Sequence, residues 1–335
     1  MIEIDGSFGE GGGQIIRTAV ALAAVTGEGV EITNIRANRP KPGLSAQHLQ
    51  AVKAVERLSG GETDGLKLGS ARLTFIPAEL NGFEGDINIG TAGSITLLLQ
   101  CLIPVALFAE RDTRVKITGG TDVRWAPPID FYNMVFLNAI RTMGCEVYSK
   151  VIRRGYYPKG GGVVETRIAP LYHMDGFDLS GDRGEVKGIS HSCGLPTHVV
   201  ERQAKAAESV LHEKGYDAEI KLETGTLGKR TVGSGITLWK GFKCGSALGV
   251  RGKRAELVGE EAATDIIREL ESDSTVDAHL ADHLIPYIAL ADGKSEMKVR
   301  EVTRHLETNM YVTKKFLDVE FEIEHESEVV VIRKE

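Results

Sequence analysis

Cysteine and proline are scarce in this 335-residue chain, with 4 and 10 residues, and aromatic side chains make up only 6% of it. The cysteines, at positions 101, 145, 193 and 244, form no CxxC pair, which argues against a cysteine metal ribbon and fits reduced, structural thiols. With so few prolines, and with 42% apolar and 26% charged residues, the chain is neither disordered nor collagen-like nor of low complexity. Long hydrophobic runs are missing too. The longest near-apolar stretch, 97–109, contains Gln100 and Pro104 and falls short of the roughly 20 residues that span a bilayer. No basic start leads into an apolar stretch, so the expected location is cytoplasmic, without membrane contact. Positive charge is in deficit, 40 Lys and Arg against 47 Asp and Glu. The net charge of −7 argues against a broad nucleic-acid-coating surface but permits a local basic pocket that grips one phosphate end.

Glycine is what the chain has in excess, 39 residues, with runs at Gly11-Gly12-Gly13 and Gly160-Gly161-Gly162 that specify tight backbone geometry. A pattern also recurs three times: a long apolar helix opened by small residues, a charged turn, then a short alternating strand. The helices are expected at 13–24, 92–108 and 277–290, and the strands at 30–34, 114–118 and 297–301. A second, amphipathic helix follows each strand, at 45–58, 130–143 and 305–316, and one or two strands close the unit. This predicts an α/β (α+β) protein whose core is three repeated βαβαββ-like units, with helix N-termini directed at one shared site. Residues 183–274 break the spacing and read as a smaller inserted α/β domain, leaving 1–182 and 275–335 as the core.

Four segments carry candidate chemistry. Glu10-Gly-Gly-Gly-Gln14-Ile-Ile-Arg17 is a glycine loop opening a helix, where backbone N–H groups attract phosphate, Arg17 follows about one turn in and Glu10 can hold a divalent cation. Arg36-Ala-Asn-Arg39-Pro-Lys41-Pro-Gly43-Leu-Ser-Ala-Gln47 presents cations on a loop stiffened by two prolines, suited to bidentate phosphate binding. His279-Leu280-Ala281-Asp282-His283 places two imidazoles at i and i+4 on one helix face, a pair that can bind zinc, although a metallohydrolase would want Glu in place of Asp282. His305 opens the last amphipathic helix, with Asn309 one turn on. The positive helix end disfavours protonation there and keeps imidazole available as base or nucleophile.

With these stand Arg154-Gly155-Tyr-Tyr-Pro158-Lys159-Gly160-Gly161-Gly162, Gly119-Gly-Thr-Asp-Val123, Ala126-Pro-Pro128 and Thr308-Asn309. Together, and in this order, they resemble the RNA 3′-terminal phosphate cyclases. The most specific part is the run of Arg-Gly, two variable residues, Pro, one variable residue and three glycines. The resemblance implies a three-unit core with one inserted domain and a reaction in three steps. The histidine matching His305 attacks the α-phosphate of ATP to give histidine–AMP, AMP moves to an RNA 3′-phosphate, and the neighbouring 2′-oxygen closes a 2′,3′-cyclic phosphate. It further implies that Glu10 holds Mg²⁺ or Mn²⁺, that Arg17, Arg36, Arg39 and Gln47 grip phosphates, and that Gln100, Pro127 and His279 to His283 form the nucleotide pocket. His279 stands where the family commonly has Tyr, and His283 where it commonly has Gln. RNA 3′-phosphate ends are the implied partner, and a homo-oligomer is left open. Three other readings compete: a non-catalytic, RNA-binding relative serving ribosome assembly, against which His305 speaks; a carboxyvinyl transferase, which would share repeated α/β units and a basic anion site but would not need the Arg-Gly run; and a zinc hydrolase built on His279 and His283.

Overall fold

Arg17 is the one charged residue between positions 14 and 24, so the helix formed there, α1 (Gly13–Thr26), has no polar face and is buried from Gln14 to Ala24. It stops at Gly27, whose left-handed φ of 73° suits glycine and lets its N–H return to the Ala23 carbonyl. The structure is a computed structural model that describes residues 1–177, 184–225 and 231–335. Strands β1 (Ile2–Asp5) and β2 (Val30–Thr33) flank α1 and pair in parallel, Ile2 opposite Val30, as a helical crossover requires. Helix α2 (Ala46–Ser59) leads to β3 (Glu62–Asp64) and β4 (Leu73–Ile76), giving the order β1-β2-β4-β3 with β4 antiparallel to both neighbours.

The plan repeats. β5 (Glu84–Asn88), α3 (Ile95–Ala106), β6 (Thr113–Gly119), α4 (129–142), β7 (Val147–Arg153) and β8 (Gly162–Ile168) form a sheet ordered β5-β6-β8-β7, with the parallel and antiparallel pairings in matching places. α3 starts three residues later than the apolar pattern suggests, because Ser94 caps it by accepting the Leu97 N–H at 3.2 Å. α4 is not one regular helix: it widens into π-helical turns at Tyr132–Phe136.

The next segment has a different topology. β9 (Val186–Cys193), α5 (His198–Glu213), β10 (Ala218–Gly225), β11 (Gly233–Lys240), β12 (Lys243–Leu248) and α6 (Ala255–Leu270) build a sheet ordered β10-β9-β11-β12, in which the first strand lies inside rather than at the edge. It closes over its own apolar cluster, including Val186, Leu211, Leu238, Val258 and Ile266. The chain then resumes the repeat with α7 (Ala278–Leu290), β13 (Ser295–Val299), α8 (Arg304–Phe316), β14 (Phe321–His325) and β15 (Val330–Lys334), ordered β13-β15-β14. Residues 174–177 lie alongside β13: the Asp292 N–H donates to Met174 O at 2.7 Å and the Glu296 N–H to Phe177 O at 2.9 Å. The segment 186–270 therefore enters the third unit between its first extended segment and its first helix. The expected boundary at 182/183 lies outside the described residues. α1, α3 and α7 are each buried along nearly their whole length within one continuous core. No described helix is long and apolar enough to cross a membrane, and Cys101, Cys145 and Cys244 are free thiols.

Candidate active site

The glycine loop before α1 is held from behind by a histidine. A Cβ at Gly13 would lie 2.0 Å from the His48 Nε2 atom, so only glycine allows the loop to close on that ring. His48 is the third residue of α2 and shares a capping arrangement with Ser45, Oγ to Nδ1 3.0 Å. Burial, with Arg17 and Arg36 nearby, drives its pKa well below 6.5, so the ring is neutral. Nothing in the spacing of the sequence marks His48; the glycine run in front of it was the one available signal.

His305 sits in the first turn of α8, whose cap is Thr303, accepting the Leu306 N–H at 2.9 Å. Gln14 Nε2 donates to the His305 carbonyl at 2.8 Å and so ties the start of α1 to the start of α8. Glu10 Oε2 lies 3.1 Å from Arg39 Nη2 and 3.3 Å from His305 Nε2. The imidazole pKa is lowered, chiefly by burial; Glu10 opposes the shift, while Arg17 and Arg39 add to it. Phe8 stacks on Tyr311 with centroids 3.9 Å apart, which fastens the glycine loop to α8.

Other candidates lie in different surroundings. Arg17 is buried rather than emergent; its Nε donates to Gln100 Oε1 at 2.8 Å, and burial lowers its pKa to about 10. Arg36 Nη1 donates to the Gly43 carbonyl at 2.7 Å, bracing the proline loop. Gln47 Oε1 accepts the Ser94 N–H at 2.9 Å, and the Pro127 carbonyl accepts Thr96 Oγ1 at 2.9 Å, so both converge on the start of α3. Asn309 does not face a pocket: it is fully buried, accepts from Thr18 at 2.7 Å and donates to the Asp282 carbonyl. The Asp282 carboxylate accepts from Thr303, and burial pushes its pKa up to about 7. Of the segment 279–283 only His279 is exposed; Leu280, Ala281, Asp282 and His283 are buried. The His283 ring packs 5.8 Å from Phe131 and 5.7 Å from Phe136, and burial takes its pKa down to about 3.

Among the described residues, the one cluster of three side chains arranged as metal ligands is Asp122, Asp130 and His191, and it does not include His279 or His283. A protein cation already stands in that cluster. Arg154 is buried, with Nη1 2.9 Å from Asp130 Oδ2 and 3.3 Å from Asp122 Oδ2. Nη2 is 3.0 Å from Asp130 Oδ1, and Nε is 2.9 Å from Glu223 Oε1. His191 Nδ1 lies 2.6 Å from Tyr156 Oη. The first residue of the Arg-Gly run thus joins the second repeat to β10, Tyr156 two residues on joins it to β9, and every guanidinium nitrogen is engaged.

The fold and site define an α+β protein of repeated units, with a histidine, a carboxylate and an arginine gathered at a glycine-loop helix start. The family model for RNA 3′-terminal phosphate cyclase matches residues 8–323. The chain is 53% identical over 317 residues to the RNA 3′-terminal phosphate cyclase of Archaeoglobus fulgidus, covering 95% of this chain and 96% of that protein. It is 48% identical to the protein of that name from Methanococcoides burtonii, covering 99% of each. It is also 48% identical to the Pyrococcus furiosus protein, covering 100% of this chain and 99% of that one. The chain belongs to the RNA 3′-terminal phosphate cyclase family.

Proposed function

We propose that the protein converts an RNA 3′-terminal phosphate into a 2′,3′-cyclic phosphodiester, using ATP, through a covalent intermediate on His305. The observation that supports this most is the contact of Glu10 with both Arg39 and His305 at the glycine loop, where the starts of α1 and α8 meet. Before His305 can attack, its Nε2 must leave Glu10 and present a lone pair; the lowered imidazole pKa favours that neutral state. Nε2 then bonds to the α-phosphorus of ATP as the bond to the β-phosphate oxygen breaks, and pyrophosphate leaves. An oxygen of the RNA 3′-phosphate next attacks the same phosphorus, the P–N bond breaks, and RNA(3′)pp(5′)A forms. The 2′-hydroxyl finally attacks the RNA phosphorus, loses its proton, and AMP departs. Adenylation matters because it gives the phosphate monoester a good leaving group.

Arg17, Arg36, Arg39 and Gln47 are read as the phosphate grip, and Gln100, Pro127 and residues 279–283 as the nucleotide pocket. Glu10 fits a divalent cation, Mg²⁺ or Mn²⁺, since its Oε1 takes no part in the contacts of Oε2 and such ions commonly bind one or two carboxylates plus substrate phosphates. When bound, the ion neutralises phosphate charge. Glu10→Ala should therefore lower adenylation by at least about 10-fold and raise the metal concentration needed for half-maximal labelling. A metal titration superimposable on the wild type would remove Glu10 from this role. We further read residues 183–274 as an inserted domain that rides on the core. The reading as a whole is tested with 3′-phosphorylated RNA. The terminal phosphate should become resistant to phosphatase only when ATP and Mg²⁺ or Mn²⁺ are present, and an end that stays sensitive would overturn it.

A further inference from the structure

We propose that the groove between Trp125 and the β11–β12 hairpin holds an unpaired base of the RNA strand close to its 3′ end, an inference that rests on the RNA-end reading above. Trp125 is 93% exposed, although the chain has only two tryptophans and burial is the usual use of so large a ring. Its φ of 60° is left-handed, a strained state for a bulky residue, and such strain gathers at ligand clamps. The backbone here holds an indole face out into water.

Trp125 lines a cavity of about 440 Å³ together with Arg124, Ala126 and Pro128, and with the half-buried Leu248 and the edge of the buried Ile236 from β12 and β11. That volume lies in the range of roughly 300–1,000 Å³ typical of ligand pockets. Arg124 is exposed and has no carboxylate partner among the described residues, whereas Glu261, which also lines the cavity, is already paired with Lys253. A flat π-face, an apolar wall and one free guanidinium suit a nucleobase with its phosphate, because every base can stack on an aromatic ring whatever its sequence. The groove is next along the chain to a residue of the candidate nucleotide pocket. Two residues beyond Trp125, the Pro127 carbonyl is fixed by Thr96, beside the Ser94 N–H that Gln47 binds. A net charge of −7 argues against a broad basic surface that follows a phosphate chain, and stacking holds a strand without one.

The test is steady-state cyclisation by the full-length protein of 3′-phosphorylated oligonucleotides carrying one abasic residue at each of the last few positions in turn. One position should raise KM about tenfold, the usual scale of a lost base–aromatic stack. W125L should raise KM for the intact strand by a similar factor and no longer distinguish it from that abasic strand, and W125F should recover most of the loss. Equal KM values for intact and all abasic strands on the wild-type protein would overturn the proposal, whether or not the variants fold. Self-adenylation of the wild type with labelled ATP, run in parallel, separates the two failures. Labelled protein without any abasic effect sinks the base groove alone, whereas no labelled protein sinks the RNA-end reading beneath it.

Discussion

His305→Ala should leave no AMP on the protein when it is incubated with ATP labelled at the α-phosphate, and should abolish cyclisation of RNA ends with it. Removal of a covalent nucleophile costs on the order of 10⁴-fold or more, because the other groups of the site have no bond to form. The same substitution should be nearly silent in stability. The His305 side chain is partly exposed and its recorded contact is with Glu10, itself partly exposed, while the tie from Gln14 goes to the main-chain carbonyl and survives in alanine. Thermal melting within the range of an ordinary surface change, about ±0.5 kcal/mol, alongside loss of label separates a chemical role from a structural one. On the wild-type protein the label should be lost in acid and survive alkali, as a phosphoramidate does. Label retained by the variant would remove His305 from the mechanism, and an unlabelled wild type under every metal would favour the RNA-binding reading without catalysis.

What could be read from the sequence was whatever depends on neighbours along the chain. The repeat is visible because α1, α3 and α7 are mostly apolar and each ends in a charged turn before a strand. The leading strand of each unit, implied by the βαβαββ plan, has no residues marked for it in the sequence pattern: β1 and β5 are short and carry acidic residues, and the partners that pair with them lie beyond a helix. The glycine loop, Glu10, Arg39 and His305 were also visible, since each is unusual for its local setting. Contacts across long separations were not. Arg17 reads as a free cation until Gln100, 83 positions away, is seen to accept its Nε–H. Asn309 shares a helix face with His305 on paper, yet its side chain is spent joining α1 and α7 to α8. His48 is silent in the sequence because its partner is the missing side chain of Gly13.

Arg154→Ala should be the most destabilising single change among these, by about 3–5 kcal/mol, because it strands charges rather than because it removes an attraction. Asp122 and Asp130 are both buried, and the guanidinium between them is their main compensation. Arg154→Lys should recover only part of the loss, since one ammonium cannot reach two buried carboxylates and Glu223 through the forked geometry seen here. The pH dependence distinguishes this mechanism from simple loss of packing. Burial already raises the pKa of Asp122 and Asp130 above the usual 3.8, and Arg154 works against that rise. Without Arg154 both should move further up. A carboxyl whose folded pKa exceeds its unfolded value contributes its full stability below the unfolded value and loses it as pH climbs through the folded one. The gap between variant and wild type should therefore be smallest near pH 4 and widen toward neutrality. His191 adds to the same trend: burial and then Arg154 hold its pKa down at about 3 in the wild type, so its removal lets the ring take a proton more readily and offset the stranded carboxylates in acid. Urea unfolding at several pH values reads this directly. A deficit that stays constant across pH would mean that Arg154 serves the fold through its packed stem alone, and that the charges around it settle without it.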